Sequence, residues 1–178
     1  MNSKTWTLIY KKNKSYYVSA YEKLFSCQVG SRGLVPYDNK KEGDLSSPKG
    51  KWLLKTIYYR ADKLDLEALA PNCFLKMNKI SKDCGWCDDV SSIYYNKYIK
   101  ISKGSNISFE PLWRNDNAYD IFIELNFNQN PIIQNKGSAI FIHCSFDDTR
   151  QTSGCIAFIQ KDLIFLIQNI NKKTYIEI

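Results

Sequence analysis

The sequence has little histidine, little proline and no long apolar run. Its one histidine is His143, so any chemistry that needs an imidazole must use that residue. No apolar stretch approaches the roughly 20 residues needed to span a bilayer as a helix. The first eight residues, MNSKTWTL, hold no apolar core of the about 7–15 residues that a secretory leader requires. Three routes stay open: a cytoplasmic protein, a leader lying outside this chain, or export by another path. No internal repeat, Pro- or Ser-rich linker or break in composition divides the chain, so one domain over residues 1–178 is expected.

What is present fits a globular protein. Hydrophobic residues make up 44% and charged residues 24%, which excludes wholesale disorder. The net charge of +7 and pI near 9.0 favour an anionic partner. Charge alone does not choose between nucleic acid, a membrane surface and an acidic polymer. No recognition helix or aromatic RNA-binding motif accompanies it, so nucleic acid is not the expected partner. Six cysteines, at 27, 73, 84, 87, 144 and 155, are irregularly spaced in a chain large enough to fold without staples. If one stays reduced as a nucleophile, five remain and complete pairing is impossible.

Strand patterns dominate. Residues 5–10 (TWTLIY) and 15–20 (SYYVSA) alternate, with a polar loop over 11–14 between them. Further strands are expected at 25–29, 51–59, 119–127, 138–144 and 175–178. A short helix is expected at 62–69 and an amphipathic one at 160–171. Residues 78–109 are polar, aromatic and weakly periodic. The fold expected from these patterns is mainly β, a sandwich or barrel-like core with a few short helices appended, one of them following Cys155.

The chemistry concentrates near the C-terminus. His143 closes an apolar strand, and twelve residues later Cys155 stands in a Thr152-Ser153-Gly154-Cys155 turn before a second apolar run. A cysteine nucleophile needs a base or cation to hold it as thiolate. It also needs backbone N–H groups aimed at a developing oxyanion. The spacing allows a strand, a loop and a return strand to bring the two side chains together. A buried cysteine and a histidine at a strand edge are also ordinary core residues. Cys84-Gly85-Trp86-Cys87 has the spacing of a redox dithiol, but no βαβ pattern surrounds it. The acidic Asp88-Asp89 that follows would raise a thiol pKa. The same pair with His143 and Cys144 lacks regular zinc-ligand spacing, so no metal is expected.

The segment from His143 to Ile156 resembles the catalytic motif of the L,D-transpeptidases, the YkuD-type family: a histidine, a variable stretch, then Ser/Thr-His-Gly-Cys and an apolar residue. His143, Thr152, Gly154, Cys155 and Ile156 match it. Ser153 replaces the second histidine of that motif, and Ala157 replaces an Asn or Arg. A divergent, largely proteobacterial branch is closer still. Its boxes appear here in order: the Gly-rich turn Gly30–Gly33, Lys40-Lys41-Glu42-Gly43-Asp44, Ser47-Pro48-Lys49-Gly50, Gly85-Trp86-Cys87-Asp88-Asp89, Tyr95-Asn96, Leu112-Trp113-Arg114 with Tyr119-Asp120, and Gly137-Ser138-Ala139 leading to His143.

The resemblance implies a YkuD-like β-sandwich of mixed sheets and an enzyme of peptidoglycan cross-linking. Cys155 would be the nucleophile, and His143 would keep it ionised and then serve as general acid and base. The Cys144 carbonyl would orient the ring, and the N–H groups of Gly154 and Cys155, beside Ser153, would form the oxyanion hole. Arg114, with Trp113, would anchor a stem-peptide carboxylate, the alternative being a salt bridge to Asp116 or Asp120. Tyr95 and Asn96 would line the cleft or pack beside it. Lys41, Glu42 and Asp44 would mark a surface turn or reach the site. The partners implied are peptidoglycan stem peptides, with no cofactor, a monomeric enzyme, and work in the periplasm or cell envelope.

Overall fold

The computed structural model describes residues 4–11, 15–146 and 151–178, so the loop expected over 11–14 falls mostly outside the described residues. In chain order the strands are β1 (Lys4–Lys11), β2 (Ser15–Ala20), β3 (Lys23–Cys27), β4 (Leu34–Val35), β5 (Ser47–Pro48), β6 (Lys51–Tyr59), β7 (Met77–Lys79), β8 (Cys84–Cys87), β9 (Tyr98–Lys100), β10 (Phe109–Pro111), β11 (Ile121–Leu125), β12 (Phe141–Cys144), β13 (Ile156–Phe158) and β14 (Thr174–Glu177). The α-helices among the described residues are α1 (Leu66–Leu69) and α2 (Gln160–Gln168).

The protein is mainly β, with mixed sheets and few short helices. The large sheet runs β13-β12-β11-β6-β14-β1-β2-β3, and β7 adds to β6 beyond β14. Its two ends meet: the residue after β3, Gln28, exchanges backbone hydrogen bonds with Ala157 of β13 at 2.8 and 2.9 Å. Joining the ends in this way leaves neither β3 nor β13 as an open edge at that point. A small second sheet, β10-β8-β9, stands apart from it.

Alternation along the strands sorts side chains to two cores. Ile57 and Tyr59 of β6, Ile121 and Ile123 of β11, and Ile142 of β12 join one cluster with Leu163, Leu166 and Ile167 of α2. The intervening Tyr58, Phe122 and Phe141 point the other way, into a cluster with Trp86 of the small sheet, Tyr119 and Cys155. Period-2 geometry therefore buries this part of the sheet on both faces. The second cluster is largely aromatic. Trp86 meets Phe141 edge-on at 4.8 Å, and Tyr58 stacks on Phe122 at 4.9 Å. Each such pair adds about 0.5–1.5 kcal/mol beyond area burial.

Two expectations are corrected here. The strand expected over 138–144 begins only at Phe141, because Ala139 has a left-handed φ of +51° that no strand accommodates. The helix expected over 62–69 shrinks to Leu66–Leu69, started where the Asp65 carboxylate accepts the Ala68 N–H at 3.1 Å. The return strand expected after His143 is β13, which pairs parallel to β12. The chain leaves the sheet and docks Thr152 against Val29 and Ser31 before re-entering as β13.

Candidate active site

The same alternation places His143 and Cys155 on one face. His143 is two residues after Phe141 on β12, and Cys155 immediately precedes β13, whose Ile156 pairs with Ile142. Both side chains line one cavity of about 410 Å³.

The turn before Cys155 is tied by side chains. Thr152 Oγ1 accepts the Gly154 N–H at 3.1 Å and donates to the Cys155 carbonyl at 2.7 Å. Ser47, fully buried, donates to the Gly154 carbonyl at 2.7 Å and accepts the Gly30 N–H at 2.9 Å. Gly154 itself has φ +144°, and a Cβ there would lie 3.0 Å from the Ser46 carbonyl oxygen. Only glycine fits this bend without strain. One expectation changes: the Gly154 N–H is committed to Thr152, so it is not a free oxyanion donor.

Cys155 is 7% exposed. Its thiol donates to the Ala139 carbonyl at 3.1 Å, and the sulfur accepts the Phe141 N–H at 3.3 Å. Burial pushes the thiol pKa up to about 12; the Phe141 N–H opposes this and the Glu110 carboxylate adds to it. His143 is 3% exposed and shares a 2.7 Å hydrogen bond between Nδ1 and the Cys144 carbonyl. A carbonyl can only accept, so Nδ1 carries the proton and Nε2 is the basic nitrogen. Burial lowers the ring pKa to about 4, against the pull of the Cys144 carbonyl. Tyr119 meets the imidazole edge-on at 5.4 Å. Both groups of the pair are therefore neutral at rest near pH 7, which corrects the expectation that His143 keeps Cys155 ionised: the burial that raises the thiol pKa lowers that of the ring.

The remaining expected residues divide. Ser153 and Arg114 line the cavity. Arg114 is nevertheless engaged: Nε and Nη2 donate to the two oxygens of Asp116 at 2.8 and 2.7 Å, and Nη1 donates to Glu110 at 2.7 Å. Trp113 lies outside the cavity lining, with the Arg60 guanidinium 3.5 Å above its ring. Tyr95 and Asn96 also stand behind the wall, not on it. The Tyr95 hydroxyl donates to the Glu42 carboxylate and accepts the Gly137 N–H at 2.9 Å. Asn96 Oδ1 accepts from Trp86 Nε1 at 2.9 Å and from the Ala139 N–H at 3.2 Å. The two residues hold the 137–139 segment that shapes the cavity, so of the two expected placements they take the second, packing beside the cleft and not lining it.

The acidic turn divides between its two expected roles, and of Lys41, Glu42 and Asp44 only Glu42 lines the cavity. Asp44 accepts the N–H groups of Lys41 and Ser46, each at 2.9 Å, as a turn residue does. Yet Lys40, Glu42 and Gly43 reach the cavity. Sequence reasoning passed over Lys40, Asp88, Glu110 and Tyr119 as site residues. Lys40, Asp88 and Tyr119 sat within the quoted boxes; nothing in the sequence singled out Glu110. Among the described residues no group of three His, Cys, Asp or Glu is placed to hold a metal ion. No helix among them is long and apolar enough to cross a membrane.

A model of the L,D-transpeptidase catalytic domain, YkuD, matches residues 2–178. The chain belongs to this family. No curated protein and no solved structure matches it. Membership makes the chain a catalytic domain of L,D-transpeptidase type, in a family that acts on peptidoglycan.

Proposed function

We propose that this L,D-transpeptidase domain cross-links peptidoglycan stem peptides through a thioester on Cys155. The observation that carries the reading is the neutral pair at one cavity: a thiol and an imidazole whose Nδ1 is tied to the Cys144 carbonyl, leaving Nε2 as the base. As the Cys155 sulfur bonds to the donor carbonyl carbon, the thiol proton moves to His143 Nε2. The C–N bond of the donor then breaks, and the imidazolium gives that proton to the leaving amine. In the second half the side-chain amine of an acceptor stem bonds to the same carbon. The C–S bond breaks, and the amine proton returns through His143 to sulfur. Bonds and protons balance without a cofactor. The Cys155 N–H is the oxyanion donor in this scheme.

The net charge of +7 suits an anionic wall polymer, and the enzyme's workplace is then the cell envelope. What supports a non-standard donor position is Ser153, which lines the cavity in place of the histidine of the commoner family motif. We assign the acyl donor as the first residue of the stem, which requires the cleft to admit a carbonyl with a longer stem still attached. The test is incubation with muropeptides of defined stem length, with products sequenced by tandem mass spectrometry. A covalent mass on Cys155 that Cys155→Ala abolishes is expected. Products joined only through the third donor residue would overturn the donor assignment, and an adduct that survives in Cys155→Ala would overturn the nucleophile.

A further inference from the structure

The charges on the cavity wall are unequal. Two cations, Lys40 and Arg114, and three carboxylates, Glu42, Asp88 and Glu110, line it. Each cation is already matched by an acid that does not line the cavity. Lys40 Nζ lies 2.7 Å from Asp44, and Arg114 holds Asp116 with two hydrogen bonds. Glu110 takes one more Arg114 N–H. The Glu42 carboxylate is met by the neutral Tyr95 hydroxyl. Asp88 has a buried Oδ1 without a hydrogen-bond partner. The cavity thus presents a negative pole in a chain whose net charge is +7.

A second observation points to a ligand. Ser138 lines the same cavity, is 6% exposed, and has an Oγ that lies near the Tyr95 hydroxyl without an ordinary hydrogen bond. Burial raises the Glu110 carboxyl pKa; the Arg114 charge and the Tyr119 hydroxyl oppose this, and the Asp88 charge adds to it, so the two acids lie within reach of each other's field. A buried acceptor left without a donor costs about 1–3 kcal/mol. A primary ammonium supplies three N–H donors and one positive charge, which answers the unsatisfied Asp88 and Ser138 oxygens and the crowded carboxylates together.

We infer that Asp88, Glu110, Glu42 and Ser138 form a subsite for a primary ammonium beside Cys155. The inference rests on the transpeptidase reading for its substrate: the ammonium is the side-chain amine of a diamino acid, carried by the acceptor stem. The subsite concentrates the amine next to the thioester and leaves His143 Nε2 to take its proton as it attacks.

The first arm of the test uses the Cys155→Ala protein, titrated by calorimetry with an N-acetylated stem tripeptide ending in a diamino acid. The same peptide acetylated on its side-chain amine is the control. The free-amine peptide binds at least tenfold more tightly, and Asp88→Asn removes most of that preference. Equal affinities for the two peptides overturn the subsite. Glu42→Gln repeats the comparison in case Asp88→Asn lowers the unfolding midpoint.

The second arm uses the chain with Cys155 intact. If the acceptor amine is the ligand, Asp88→Asn shifts the products from amide transfer towards hydrolysis by about tenfold. A loss confined to thioester formation assigns the ammonium to the donor and overturns the acceptor assignment. Absence of any thioester on Cys155 with any stem peptide sinks the transpeptidase reading, while the binding arm still decides the subsite.

Discussion

Replacing Asn96 with alanine removes four hydrogen bonds from a residue that is 3% exposed. Its Oδ1 serves Trp86 Nε1 and the Ala139 N–H, and its Nδ2 serves the carbonyls of Phe127 and Asn128 at 3.1 and 2.7 Å. The variant leaves an indole N–H and a backbone N–H unpaired, each costing about 1–3 kcal/mol. Alanine also tolerates the left-handed φ of +55° less well than asparagine. The total is about 3–5 kcal/mol, because water entering the gap offsets part of the loss. For a chain of this size that lowers the thermal midpoint by about 6–20 °C. Loss of the Ala139 anchor has a local effect too. The Ala139 carbonyl is the acceptor that parks the Cys155 thiol, so alkylation of Cys155 accelerates in the variant. Urea unfolding gives the stability and peptide mass spectrometry the alkylation rate. A stability change below about 0.5 kcal/mol with a raised KM for stem peptide would refute the reasoning, since that is the behaviour of a surface substrate contact.

Other outcomes follow from the same geometry. Gly154→Ala forces a Cβ against the Ser46 carbonyl at an unfavourable φ and costs about 2–4 kcal/mol, read by urea unfolding; a neutral result means the turn can rearrange. His143 is held neutral, with its pKa lowered to about 4, so the unfolded chain binds its proton first as pH falls below about 6.5. The stability His143 contributes is whole above that pH and declines by roughly 3 kcal/mol towards pH 4. His143→Asn flattens this part of the pH–stability curve, and an unchanged slope would mean the ring is not buried neutral. Alkylation of Cys155 rises steadily with pH above 8, as its pKa of about 12 requires; a plateau below pH 8 would show a stable thiolate.

Strands long enough to show their alternation were legible. Residues 15–20 and 51–59 coincide with β2 and β6, and the helix expected after Cys155 is α2. The candidate pair was legible for a related reason. His143 ends an apolar run and Cys155 begins one, so two buried strands carry the reactive groups. The small sheet was not legible. β8 reads Cys-Gly-Trp-Cys, all four buried, and β9 and β10 have three residues each, too few to establish a period. Since Asp88 follows β8 and Glu110 lies in β10, the acid wall of the cavity was hidden with that sheet. The roles of Tyr95 and Asn96 were hidden because a polar side chain that hydrogen-bonds backbone across 32 or 43 positions has no sequence period.

The neutral resting pair changes how the reactivity of Cys155 is understood. A preformed thiolate–imidazolium pair would need the site to solvate two charges, yet the same burial that raises the thiol pKa lowers that of the ring. The nearest acids make the thiolate worse, not better, since Glu110 opposes it. What the site supplies instead is orientation: a fixed Nδ1–H, a basic Nε2, and a thiol hydrogen-bonded to a wall carbonyl that a donor must displace. In the proposed mechanism, proton transfer then belongs to the attack itself, when the charge leaving sulfur appears on the carbonyl oxygen and the Cys155 N–H can receive it. A thiol kept neutral until substrate arrives is also a poor target for stray oxidants and alkylating agents, which attack the thiolate. Burial and reactivity are therefore compatible here, because the substrate, and not the resting site, completes the conditions for ionisation.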